Sequence, residues 1–231
     1  MSEPSPLDTK DSPRRGQQTK SPALLFDLDG TLIDSNYEHV TAWRLAFRRM
    51  GTEVPNAFLH RCIGMRGDLL AKAVHKEIGG AAANETAAKL QTLHKTYFER
   101  TLPSVKPLPG AAALLKMLTH QKFPWAIATG GDKRAVLRMI LPLKVPPAAP
   151  VITADDVEQT KPEPDVFLVA ARRLGVALGD CIVVGDSVWD MLGARRAKAL
   201  GVGLLCGGSG GAELTQAGAF RVYEHPADLL A

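Results

Sequence analysis

The chain has 231 residues, 45% hydrophobic and 23% charged, with 21 glycines, 16 prolines and a formal net charge of +4. This is an ordinary globular composition, long enough to bury a core, and it excludes collagen-like and wholly disordered classes. No apolar run approaches the ~18 residues of a membrane span, and three cysteines (Cys62, Cys181, Cys206) without a CxxC pair exclude a disulfide framework, so a cytoplasmic setting is expected.

Residues 1–22 are rich in Ser, Pro, Gln and charge and show no periodicity, which predicts a disordered N-terminal arm. Its start, MSEPSPLDTK, lacks the basic and apolar regions of a secretory signal. The short apolar run Ala23-Leu24-Leu25-Phe26, closed by Gly30, predicts a buried parallel strand. Residues 36–103 then change character. TAWRLAFRRM, GDLLAKAVHKEI and ETAAKLQTLHKTYFERTL space their apolar residues as helices do, between Gly and Pro breaks, and no strand is evident.

After Pro107 the predicted order is helix (GAAALLKMLTH), strand (PWAIATGG), helix (DKRAVLRMIL, capped by Asp132) and short strand (PVITADD). A helix (PDVFLVAARRLG), a strand (CIVVGD), a helix (SVWDMLGARRAKAL, capped by Ser187) and a strand (GVGLLC) follow. This alternation predicts an α/β fold, a Rossmann-like parallel sheet with helices on both faces. Residues 23–35 and 104–231 would form the core, and residues 36–103 an inserted α-helical cap domain. The insert carries ten Lys/Arg against six Asp/Glu, and four of the six histidines (His39, His60, His75, His94). That excess suits an anionic ligand, and it equally suits solvated helix faces. No basic run is interleaved with aromatics, which argues against nucleic acid.

Open α/β sheets bind ligands at the carboxyl ends of their strands, and four such ends carry polar residues. Asp27 and Asp29 stand two apart on an extended segment and can face one site, where crowded carboxylates call for a cation or a shared proton. The same residues suit a simple turn after a strand. Thr129-Gly130-Gly131 offers a hydroxyl and exposed amides fit for a phosphate, or a plain strand-to-helix turn. Lys161 lies in the stiff segment Thr160-Lys161-Pro162-Glu163-Pro164-Asp165, as a positioned charge or a surface lysine. Asp186 and Asp190 of Gly185-Asp186-Ser187-Val188-Trp189-Asp190 suit helix caps, or, with Asp27 and Asp29, an oxygen cage for Mg²⁺.

Asp-x-Asp-Gly-Thr, Thr-Gly-Gly, Lys-Pro-x-Pro-Asp and Gly-Asp-Ser-x-x-Asp, in this order at predicted strand ends, resemble the haloacid dehalogenase-like hydrolase superfamily over residues 23–207. The insertion point resembles the helical-cap subgroup, which includes phosphoglycolate phosphatases, sugar-phosphate phosphatases and β-phosphoglucomutases. The resemblance implies that Asp27 is the nucleophile and Asp29 the general acid/base. It implies that Thr129 and the Gly130 amide bind phosphate, and that Lys161 balances charge on Asp27 and the phosphoryl group. Asp186 would ligate Mg²⁺ with Asp27 and the Asp29 carbonyl, and Asp190 would support the metal. Asp29 argues against dehalogenation, because a departing halide needs no proton. Gly131 stands where relatives often carry Ser or Asn. Arg66, in Ile63-Gly64-Met65-Arg66-Gly67-Asp68, is the insert's candidate for substrate contact. The resemblance thus implies a Mg²⁺-dependent phosphomonoesterase acting on a small phosphorylated metabolite, as a monomer or weak homodimer. A phosphomutase is the alternative; a phospho-receiver module and a catalytically silent binding protein rank below it.

Overall fold

The computed structural model describes residues 22–78 and 84–230. The N-terminal arm expected over residues 1–22 lies outside the described residues apart from Pro22. The chain enters through β1 (Ala23–Phe26) and β2 (Ile33–Asp34), then runs through α1 (Asn36–Arg49), α2 (Asn56–Cys62), α3 (Gly67–Glu77) and α4 (Asn84–Thr101). It returns at β3 (Lys106–Pro107), which pairs antiparallel with β2 through Ile33 opposite Pro107 and Asp34 opposite Lys106. This two-stranded clasp holds the exit and re-entry points of the helical insert side by side. The rest alternates: α5 (Ala111–His120), β4 (Trp125–Ala128), α6 (Lys133–Met139), β5 (Val151–Ile152), α7 (Asp165–Leu174), β6 (Cys181–Gly185), α8 (Val188–Arg196), β7 (Leu200–Leu204), α9 (Gly211–Ala217) and β8 (Ala219–Tyr223).

The main sheet has six parallel strands in the order β5-β4-β1-β6-β7-β8. Successive residues of the central strands face opposite sides, and both sides are apolar. Phe26, Ile127 and Val184 pack into one hydrophobic cluster; Leu25, Ala126 and Val183 pack into the other. That is why these strands read as unbroken apolar runs. The insert has its own core of Val40, Trp43, Phe47, Leu59, Leu70 and Leu90. Among the described residues no helix is long and apolar enough to cross a membrane.

Chain order places β4 on one side of β1 and β6 on the other. The sheet therefore switches direction between β1 and β6, the place where open α/β sheets form ligand crevices. Sequence reasoning missed α2, α9 and β8. The two helices are one or two turns long, with few buried side chains, and β8 is an edge strand with little apolar alternation. Helix α1 begins at Asn36 rather than Thr41, and this first turn matters for the site.

Candidate active site

Asp27, Thr129 and Asp186 follow directly on β1, β4 and β6, and backbone pairing aligns their strand ends. The Asp27 amide donates to the Val184 carbonyl at 2.9 Å, and the Thr129 amide donates to the Ile152 carbonyl at 3.0 Å. Lys161, buried despite its charge, pairs with Asp27 and lies 2.6 Å from Asp190 Oδ1. The Lys161–Pro162 peptide is cis. The two oxygens of Asp190 have different partners. Its Oδ2 accepts from Ser187 Oγ at 2.6 Å and from the Ser187 amide at 3.1 Å, capping α8, while Oδ1 faces Lys161.

Asp186 is fastened on both oxygens. Thr31 Oγ1 donates to Oδ1 at 2.9 Å, and Asn36 Nδ2 donates to Oδ2 at 2.8 Å and to the Gly207 carbonyl at 2.9 Å. Gly30, at φ +74°, sits under this network, and a Cβ there would collide with Asn36 and Asp186. The Asp-x-Asp-Gly pattern thus needs glycine for its backbone and for space.

Carboxylate oxygens of Asp27, Asp186 and Asp190 lie within 4.8 Å of one another, all buried. Burial raises the Asp27 carboxyl well above the ordinary range, helped by the charges of Asp190, Asp186 and Asp29 and opposed by Lys161. Asp186 is pushed up to about 7 by burial and then by Asp190, against the hydrogen bonds from Asn36 and Thr31. Burial works against the Lys161 ammonium, but Asp190 and Asp27 outweigh it and raise its pKa. Three buried carboxylates therefore face one ammonium, and the donors are all hard oxygens. That set fits a divalent hard cation.

Asp29 stands apart from this cluster. Its Oδ1 accepts from Ser35 Oγ at 2.6 Å and lies 3.1 Å from His39 Nε2. Burial pushes its carboxyl up, but the charge and hydrogen bond of His39, with Ser35 and Lys161, outweigh that and hold it low. The other ring nitrogen of His39 lies 3.0 Å from His94 Nε2. His39 stacks on Phe98 with ring centroids 3.8 Å apart, and His94 stacks on Trp43 at 4.3 Å. Burial, then the neighbouring His39, holds His94 well below the usual histidine range.

A cavity of about 180 Å³ opens over these groups, with Asp27, Asp29, Thr129, Gly130, Gly131 and Lys161 among its lining and the helical insert opposite. The Gly131 amide donates to Thr129 Oγ1 at 3.0 Å, which leaves the hydroxyl proton available to a ligand. Five of the eight candidate residues from the sequence, Asp27, Asp29, Thr129, Gly130 and Lys161, line this cavity, and Asp186 and Asp190 adjoin it through their cluster with Asp27. The exception is Arg66. Its guanidinium is not part of the cavity lining; Nε lies 2.5 Å and Nη2 3.0 Å from the Asp68 carboxylate, and Nη1 lies 3.3 Å from Gln159 Oε1. Its backbone amide instead donates to the Lys161 carbonyl at 3.0 Å. Sequence reasoning missed Ser35, Asn36, His39 and His94 as site residues. The first three lie within ten residues of Asp29, Ser35 just before α1 and the other two on its first turn, and that proximity was the available signal.

The chain belongs to the haloacid dehalogenase-like hydrolase family, whose profile matches residues 22–198. It is 42% identical to a structurally characterised hydrolase from Pseudomonas syringae, which superposes with a TM-score of 0.86 over 91% of this chain and 96% of that one. It is 34% identical to hexitol phosphatase A of Escherichia coli over 75% of this chain and 78% of the relative. It is also 33% identical to a phosphoglycolate phosphatase of Xylella fastidiosa over 75% and 76% of the two chains.

Proposed function

We propose that this chain is a Mg²⁺-dependent phosphomonoesterase that hydrolyses a small phosphorylated metabolite through an aspartyl-phosphate on Asp27. The observation that carries the reading is the convergence in one cavity of a carboxylate paired with Lys161, a hydroxyl-and-amide turn at Thr129-Gly130-Gly131, and a separate carboxylate, Asp29, with its own partners. The phosphatase names of both relatives support it.

In this reading Thr129 and the Gly130 amide hold two phosphoryl oxygens, and Lys161 works against the burial that raises the Asp27 pKa and offsets charge on the transferring group. A carboxylate oxygen of Asp27 attacks phosphorus as the bond to the ester oxygen breaks, and Asp29 gives that oxygen a proton. Asp29 then takes a proton from water, whose oxygen attacks the phosphoryl group and releases phosphate and free Asp27. Ser35 and His39 position Asp29 for both transfers. Asp27, Asp186 and Asp190, with the Asp29 carbonyl, would hold Mg²⁺, which supplies positive charge beside the nucleophile and the phosphoryl oxygens. The insert over residues 36–103 acts as a cap that excludes water from the cavity. Composition and motif content support a cytoplasmic protein, a monomer or weak homodimer, acting on a small molecule and not on nucleic acid.

Phosphate release from p-nitrophenyl phosphate and a panel of metabolite esters, with Mg²⁺ and with EDTA, tests this reading. It predicts Mg²⁺-dependent release; full activity in excess EDTA would contradict it.

A further inference from the structure

The side of the cavity that faces away from Asp27 is built by the insert. Helix α4 turns Gln91, His94 and Phe98 onto one face, at i, i+3 and i+7, and Trp43, Met65 and Leu70 complete the wall. None of these carries a full charge, and His94 is held in its neutral form; His39, which also lines the cavity from the insert, is turned to Asp29. This contrasts with the insert as a whole, where Lys and Arg are in excess.

Three cations on neighbouring segments are paired with carboxylates. Arg66 is bound by Asp68, Lys95 Nζ lies 2.8 Å from Asp132 Oδ2, and Arg134 Nε lies 3.8 Å from Glu99 Oε1. Asp132 itself lines the cavity and adds a carboxylate to that side. Among the described residues of the lining, Lys161 is the one Lys or Arg, and it lies between Asp27 and Asp190 at the phosphate end. Residues 79–83 of the insert, Gly-Gly-Ala-Ala-Ala, add no charge.

From this wall we infer that the substrate has an uncharged, hydroxyl-bearing leaving group, such as a polyol or sugar, and not one carrying a carboxylate or a second phosphate. The inference rests on the phosphomonoesterase reading and names its substrate class. An anionic leaving group would be taken out of water near Asp29 in a lining that offers no Lys or Arg besides Lys161, with Lys95 already paired to Asp132 and His39 to Asp29, which is costly. A hydroxyl-bearing one finds the Gln91 amide and the His94 ring as partners and the apolar rings as packing surface. The cavity, at about 180 Å³, is smaller than the roughly 300–1,000 Å³ of drug-sized sites and suits a compact ester. The same argument disfavours a mutase, whose bisphosphate intermediate would press a second dianion against this wall. Of the two named relatives, the hexitol phosphatase has the matching substrate chemistry.

The test compares kcat/KM of the Mg²⁺-loaded enzyme for glycerol phosphate and a hexitol phosphate with that for phosphoglycolate, phosphoglycerate and a hexose bisphosphate, with p-nitrophenyl phosphate as the probe of basal chemistry. The expected preference is at least about ten-fold for the best uncharged leaving group, the scale of one charge-assisted contact. Gln91→Arg supplies the missing cation and should raise the phosphoglycolate-to-glycerol phosphate ratio by a similar factor. Hydrolysis of p-nitrophenyl phosphate together with a preference for the anionic esters would overturn the inference and leave the phosphatase reading standing. An unchanged ratio in a folded Gln91→Arg protein would overturn the assignment of this wall to the leaving group. No turnover of any ester would overturn the phosphatase reading itself, and this inference with it.

Discussion

Lys161 Nζ and Asp190 Oδ1 lie 2.6 Å apart with both side chains buried, and the same ammonium pairs with Asp27. The lysine is the countercharge for a group of carboxylates that would otherwise repel one another. Lys161→Met should therefore destabilise the metal-free protein by about 3–5 kcal/mol, because breaking a buried pair strands its partner charges. Added Mg²⁺ should recover part of that loss by binding the folded state alone. Denaturant unfolding of wild type and variant, with and without Mg²⁺, measures both effects; equal stability of the two metal-free proteins would refute the role.

The carboxylate cluster also sets a pH dependence. The folded-state pKa of Asp186 is about 7, raised from the ordinary carboxylate range by burial and by Asp190, and Asp27 is raised in the same direction. Between about pH 4 and pH 7 the folded protein holds protons that the unfolded chain has released. In EDTA, stability should therefore fall as pH rises through that window, by an amount on the order of a few kcal/mol, and level off above it. Mg²⁺ should flatten the profile, since the cation takes the place of the protons. Stability in EDTA that rises across this window would contradict the clustering.

Asp29 lies outside the Asp27, Asp186 and Asp190 cluster and is held by Ser35 and His39. Asp29→Asn should slow turnover of an alkyl phosphate by about 10²–10⁴-fold. The loss should be smaller for p-nitrophenyl phosphate, whose leaving group hardly needs a proton. An equal loss on both esters would argue against acid/base work at this position.

His39 is a positioning residue for Asp29. His39→Gln keeps a side chain able to donate but removes the ring charge that offsets burial of Asp29. The limb of the pH–rate profile that disappears in Asp29→Asn should then move to higher pH, which a purely structural role would not produce. An unmoved limb would rule out electrostatic coupling between the two.

The meeting of Asp27, Thr129 and Asp186 was legible in the sequence because each ends an apolar run, and the strand order of an α/β sheet brings such ends together; Lys161 stood out by its proline-flanked setting instead. Asp190 seemed to demand a choice between helix cap and metal support. The structure shows the helix-cap contact on one oxygen and leaves the other facing Lys161. The His39–His94 contact joins residues on two different helices of the insert, and its meaning depends on stacking against Phe98 and Trp43. No local pattern encodes that packing. For Arg66 the local contact is the one the structure shows: Asp68, two residues on, engages the guanidinium. The basic excess of the insert suited either an anionic ligand or solvated helix faces, and the side chains that reach the cavity from it are uncharged or histidine.

The central claim is that Asp27 attacks phosphorus, and kcat of Asp27→Asn tests it most directly. The substitution removes one of three crowded carboxylates and leaves Lys161 its contact with Asp190, so the fold should persist. Turnover of a folded Asp27→Asn protein should fall below about a hundredth of wild type, a barrier increase of at least ~2.7 kcal/mol. A folded Asp27→Asn protein that retains more than that fraction of kcat would contradict the account.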